Sequence, residues 1–209
     1  RSISKENRIG DIIGQAVLKN RSNIATLNME KSVLFLNGEY WGLYIINEHL
    51  GGDYFESNYN IPGKNISILK DNQVEEGPEE DTLKFINFMN EYSQKDLSND
   101  EILNEVNKFV DLDSFLEHYV AGLYLTIVDW PNRNYGAWRY NGEKIEGNEY
   151  TDGRWRFITY DLDCSFGKLY GNFKIGEDRK EIEGYEYDPF KHLDGIMGPP
   201  TNLFQAMLN

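Results

Sequence analysis

The chain has one cysteine, Cys164, and three histidines in 209 residues. A single cysteine excludes an intrachain disulfide, a CxxC redox pair and a zinc site built on cysteines. His49, His118 and His192 are scattered without HxxxH spacing, which argues against a histidine-ligated zinc enzyme. No apolar run is long enough to span a membrane. Neither a GxxxxGK phosphate loop nor a glycine-rich loop over a first strand pair is present. Positive charge is scarce, with 21 Lys and Arg against 35 Asp and Glu and a net charge of −14. Such a field repels nucleic acid and anionic membranes and attracts basic proteins. It also repels phosphates, so any site for them would need a divalent cation and a few placed basic side chains. What is present is a globular composition, 40% hydrophobic and 14% aromatic. That is enough core for one large domain or two small lobes. The chain starts at Arg1 without Met or a signal peptide and ends in an apolar pattern, Leu203-Phe204 to Met207-Leu208. It reads as an excised fragment of a longer protein.

Periodicity orders the elements. Residues 8–19 form a short amphipathic helix. Lys31–Leu36 reads as a buried strand, Asn37-Gly38 as a hairpin turn, and Tyr40–Ile46 as the returning strand. A helix is expected from about 47 through 55, then a third strand at Asn65–Lys70. Residues 71–81, DNQVEEGPEED, read as an acidic exposed linker and as the boundary between two sub-lobes, about 1–75 and 76–209. Helices are expected at 81–94 and 100–110. Asp113 is expected to cap a central apolar helix that runs to Ile127. Residues 136–140 and 154–160 pair as strands around a polar loop at 141–153, and 168–200 read as irregular. Strands first, then helices, then a hairpin bearing acidic residues imply an α+β fold in two lobes with a cleft between them.

The chemistry-bearing residues follow the central helix. Asp129 closes that apolar run, and Asn134 follows five residues later in DWPNRN. Catalytic loops of phosphoryl-transfer enzymes use this spacing, the Asp for the acceptor hydroxyl and the Asn for a metal. Asp161 ends the apolar strand FITY and opens DLDCSFG. Asp161 and Asp163 are two apart and would share a face if the strand continued. Hard oxygen donors of this kind suit Mg²⁺. Taken singly, Asp129 also reads as a turn residue before Pro131, and Asp163 as a surface carboxylate.

Together these segments resemble a known family. FLNGEYWGLYIINEH (35–49), DWPNRNYGAWRY (129–140) and WRFITYDLDCSFG (155–167) are similar, in the same order, to the signature segments of the spore coat protein H (CotH) kinases. The resemblance implies an atypical, two-lobed Ser/Thr kinase that uses ATP with Mg²⁺ or Mn²⁺ and resides in a spore coat or at a cell surface. By this resemblance Asp129 is the catalytic-loop Asp and Asn134 the catalytic-loop Asn. Asp161 holds the metal with Asn134 and Asp163. Lys70 contacts phosphate, Glu48 pairs with Lys70, and Trp155 stacks on adenine. The loop at 141–153 is longer and more acidic than in compact members.

Each role has a plainer counterpart: Lys70 a solvated strand-end lysine, Glu48 a helix N-terminal carboxylate, Trp155 a core residue. Trp41, Tyr44 and Trp138 read as core. The hairpin at Asn37-Gly38-Glu39 would cover the phosphates in place of a glycine-rich loop. Three alternatives to protein phosphorylation stay open: a non-catalytic nucleotide-binding or scaffold module, an AMP transferase, and a magnesium-dependent hydrolase on Asp129, Asp161 and Asp163.

Overall fold

The computed structural model describes residues 9–19, 23–166 and 188–208. In chain order the elements are Gly10–Leu18 (α1), Met29–Leu36 (β1), Glu39–Asn47 (β2), Gly52–Tyr59 (α2), Ile66–Lys70 (β3), Gln73–Glu76 (β4), Glu79–Tyr92 (α3), Asp100–Phe109 (α4), Leu112–Tyr124 (α5), Tyr135–Tyr140 (β5), Arg156–Thr159 (β6), Pro189–Leu193 (α6) and Pro199–Met207 (α7). The fold is mixed α/β with small antiparallel sheets, in keeping with the α+β expectation.

The centre is a four-stranded sheet in the order β4-β3-β5-β6. Side chains alternate across it, as a pleated strand requires. Leu69, Ala137 and Phe157 enter one core with Phe85, Val106, Phe115 and Phe204 from α3, α4, α5 and α7. Ile66, Ile68, Trp138 and Ile158 enter a second core on the other face with Tyr54 and Phe55 of α2. Both faces are therefore buried, which explains why β3 and β6 read as continuous apolar runs rather than alternating ones.

Several sequence expectations need correction. The 71–81 segment is not a linker throughout, because Gln73–Glu76 pairs with β3 as strand β4. Asp111, not Asp113, caps α5, its Oδ1 accepting from the Ser114 amide at 3.2 Å. The helix stops at Tyr124, where Thr126 turns into the left-handed region at φ 48°. α2 begins at Gly52, later than expected. Of the 168–200 stretch, α6 and the start of α7 are helical, and residues 168–187 lie outside the described set.

The hairpin β1–β2 forms as the Asn37-Gly38 turn foretells, with φ 51° and 85° at those residues. It is not buried. Val33, Phe35, Tyr40, Trp41 and Ile46 are all exposed, Trp41 by 56%. The strand and core assignments of Lys31–Leu36, Trp41 and Tyr44 as buried are thus overturned, while Trp138 is core. Among the described residues the two strands pair only with each other. Among the described residues no helix is long and apolar enough to cross a membrane.

Candidate phosphate and metal centre

The central sheet brings the candidate residues to one end. Lys70 ends β3 and lies opposite Gly136, and Tyr135 lies opposite Thr159. Asn134 therefore precedes β5 at the same sheet end where β6 delivers Tyr160 and Asp161. Asp129 arrives from the loop after α5. The Val128 amide donates to the Cys164 carbonyl at 3.1 Å, so this loop is stitched to the turn that follows β6.

The loop is held rigidly. Trp130 Nε1 donates to His118 Nε2 at 3.0 Å, deep in the core. The Trp130 indole lies flat on α5 at Gly122, where an ideal Cβ would come within 2.6 Å of its ring carbons. Glycine is required there by space, not by backbone conformation. Burial drives the His118 pKa down to about 3, so the imidazole is neutral and accepts the indole proton. Asn134 and Asp161 both adopt left-handed backbone, at φ 56° and 55°. Asn and Asp tolerate this region best among non-glycine residues, and each such residue still costs roughly 1 kcal/mol. Two of them at one centre mark a site whose geometry is imposed by its surroundings.

Asn134 Nδ2 donates to Asp129 Oδ2 at 2.7 Å. Asp129 Oδ1 is buried and has no hydrogen-bond partner among the described residues. One oxygen each from Asp129 and Asp163 and the Cys164 sulfur lie within 4.8 Å of one another. Burial pushes the Asp129 carboxyl above its usual range. The Cys164 thiol opposes that shift, and the Asp163 and Asp161 charges add to it. Burial, with Asp129 and Asp163 beside it, likewise pushes the Cys164 thiol far up, so it stays protonated. The strand does not continue past Thr159. Asp163 instead reaches Asp129 because Leu162–Cys164 coil into a 3₁₀ turn. The shared-face reason given for Asp161 and Asp163 is therefore corrected. α1 fixes this turn: Asp11 Oδ1 accepts from the Leu162 amide at 3.0 Å, and Gln15 Nε2 donates to the Thr159 carbonyl at 3.0 Å.

The arrangement fits a divalent cation. Oxygen donors converge, one buried carboxylate oxygen lacks a partner, and like charges face each other in need of a counter-ion. Asp163, Asp161 and Asn134 would hold it beside Asp129. Cys164 was missed from the sequence. Its place one residue after Asp163 was the available signal.

The nucleotide side matches the expectations less well. Lys70 Nζ pairs with Glu75 Oε1 at 2.6 Å, not with Glu48. Glu48 instead accepts from the Asn28 amide at 2.7 Å and from Asn58 Nδ2 at 3.4 Å, bracing the end of the hairpin. Lys70 Nζ also lies 5.7 Å from the ring of Tyr160, the residue that precedes Asp161 in sequence. Trp155 is not available to adenine. It is fully buried, packed against Phe85 with ring centroids 5.0 Å apart and covered by Arg139. It sits at the start of β6, whereas Asp161 follows its end. The core reading of Trp155 holds because the isolated bridge Val110–Trp155 seals it under α4 and α5.

Residues 16–194 match the family described as CotH kinase protein, and the chain belongs to that family. Among curated proteins, none matches the chain.

Proposed function

We propose that this protein is a protein Ser/Thr kinase that transfers the γ-phosphate of ATP to a hydroxyl, with Mg²⁺ or Mn²⁺ as cofactor. The observation that carries the reading is the convergence of Asp129, Asn134, Asp163 and Cys164 at the sheet end reached by Lys70 and followed by Asp161. Three acidic groups and an amide from two separate loops have no structural reason to face one another, whereas a metal–phosphate centre gives one.

Asp129 orients the acceptor hydroxyl and takes its proton as general base, and burial raises its affinity for protons. Asn134 holds the Asp129 carboxylate in one rotamer through its 2.7 Å bond. Asp161 and Asp163 bind the cation, and Lys70 meets phosphate oxygens once released from the half-exposed Glu75. The metal nucleotide, when bound, supplies the transferable phosphoryl group and screens its negative charge. The net charge of −14 favours a basic protein as acceptor.

Incubation with α- or γ-labelled ATP and a basic Ser/Thr-containing protein tests the reading. Label from the γ position on protein is the expected result. Label from the α position means AMP transfer, free labelled phosphate without protein labelling means hydrolysis, and nucleotide binding without any transfer means a binding module; each overturns it.

A further inference from the structure

One residue outside the acidic cluster touches both strands that carry it. Asp71 opens the two-residue turn between β3 and β4, directly after Lys70. Asp71 and Asn72 both take left-handed backbone, at φ 50° and 66°, the pair of conformations a tight hairpin of this type needs. The turn is thus rigid and holds the Asp71 side chain over the sheet end. There Asp71 Oδ1 accepts from the Tyr135 amide at 3.3 Å and from the Tyr160 hydroxyl at 3.1 Å. The Asp71 amide donates back to the Tyr135 carbonyl at 3.1 Å. The Tyr160 hydroxyl has one proton, shared between Asp71 and that same carbonyl, also 3.1 Å away. The Tyr135 hydroxyl in turn donates to Asn72 Oδ1.

Tyr135 is the residue after Asn134, and Tyr160 is the residue before Asp161. A turn of this sort needs no such contacts to close, because its own hydrogen bonds and backbone suffice. The sheet does not need them either, since β5 and β6 are already paired through Tyr135 and Thr159. The contacts lie at and just past the last ladder pairs, at the two points where the chain leaves the sheet to enter the centre.

We propose that Asp71 is a positioning residue: its carboxylate locks Asn134 and Asp161 in register by gripping the residue next to each. What is being positioned, a phosphotransfer centre, rests on the function proposed above. The grip itself does not. Because Lys70 is the neighbour of Asp71, one turn sets the spacing of all three groups. Misplacing groups around a phosphoryl centre by about 1 Å costs on the order of 10²-fold in rate.

The test uses three variants and two readouts. Asp71→Ala removes the acceptor, Asp71→Asn keeps a carbonyl oxygen in its place, and Tyr160→Phe removes one donor while keeping the ring. The first readout is the side-chain amide signal of Asn134 in a ¹H–¹⁵N spectrum of the metal-free protein, assigned by its loss in Asn134→Asp. The second is the γ-phosphate transfer rate. Asp71→Ala is expected to move or broaden the Asn134 signal and to lower kcat by about 10- to 100-fold. Asp71→Asn should restore both to near wild type, and Tyr160→Phe should change both in the same direction by less. Asp152→Ala, which leaves Arg154 and Arg156 at the opposite end of β6 with Asp111 as their remaining carboxylate partner, is the control for a general loss of stability. It should leave the Asn134 signal in place. An unmoved Asn134 signal in Asp71→Ala and Tyr160→Phe overturns the proposal, as does an Asp71→Asn variant as impaired as Asp71→Ala. Absence of transfer in the wild type overturns the kinase reading alone, because the spectrum reports the grip without it. If Asp71→Ala does not fold, Tyr160→Phe decides.

Discussion

Asp129→Asn separates the folding cost of the centre from its use. In the metal-free protein the Asp129 and Asp163 oxygens lie within 4.8 Å. Two full charges at that distance repel by roughly 3 kcal/mol at an effective dielectric of about 20. Partial exposure of Asp129 discounts this to about 2 kcal/mol. Neutralising Asp129 also weakens the bond from Asn134 from a charge-assisted to a neutral one, a loss of about 1 kcal/mol. The net expectation is a variant about 1 kcal/mol more stable than wild type without metal, or about 2–4 °C in Tm for a chain of this size. Because burial and its neighbours raise the Asp129 pKa above 3.8, the native state holds that proton more tightly than the unfolded chain does. The advantage of the variant should therefore shrink as pH falls through the carboxylate range, where wild type neutralises itself. Adding Mn²⁺ and ATP at about 100 times their Kd should stabilise wild type by about 2.7 kcal/mol and the variant by much less. The order of the two Tm values then reverses. Thermal melts at neutral pH, with and without metal nucleotide, measure all of this. A variant that gains as much as wild type from metal nucleotide, or that starts out less stable, refutes the electrostatic account.

His118 is neutral in the fold with a pKa of about 3, against 6.5 when exposed, so the unfolded state binds the extra proton in between. Stability from this group is complete above 6.5 and falls with pH, by about 2 kcal/mol between pH 7 and pH 5. Urea titrations should show that fall in wild type and a much flatter response in His118→Gln. Gly122→Ala drives a methyl into Trp130, which cannot yield because His118 holds its indole. It should cost about 1–3 kcal/mol and should reduce transfer, since Asp129 is the residue before Trp130. Equal stability in chemical denaturation would contradict the tight packing. Burial works to raise the Asp152 carboxyl, but hydrogen bonds from Arg156 and Arg154 outweigh it and bring it to about 2. Its contribution is present above 3.8 and lost as pH falls through 2. Asp152→Asn should cost about 1 kcal/mol at neutral pH after allowance for solvent screening, and nothing below pH 2, as acid unfolding curves will show.

Sequence patterns reached some of these features and not others, for reasons that are physical. The Asn37-Gly38 turn was legible because only a few residues accept two successive left-handed conformations. Asp129, Asn134 and Asp161 were legible as a spacing, since a loop and a strand end fix where they emerge. Asp163 was expected for the wrong reason: the strand stops at Thr159, and a 3₁₀ turn turns its carboxylate inward. Burial was the weakest inference. Trp155 and Trp41 are the same residue in aromatic segments, yet one is sealed under two helices and the other stands in solvent. Nothing local distinguishes them, because burial depends on which elements pack above. The partner of Lys70 was missed for a similar reason. Glu75 lies five residues on, across a turn hidden in what read as a linker, while the more distant Glu48 is occupied at Asn28.

The hairpin of β1 and β2 has a consequence in time rather than in space. Among the described residues no third strand joins its ladder, and an isolated two-stranded ribbon is marginally stable in water. The β3–β6 sheet, by contrast, opens only when cores on both of its faces are breached. Amide exchange should therefore run on two clocks. Amides paired across Met29–Asn47 are expected to exchange by local opening, with low protection that does not change in Gly122→Ala. Those of Leu69, Ala137 and Phe157 should exchange only on global unfolding and should follow every destabilising substitution in the core.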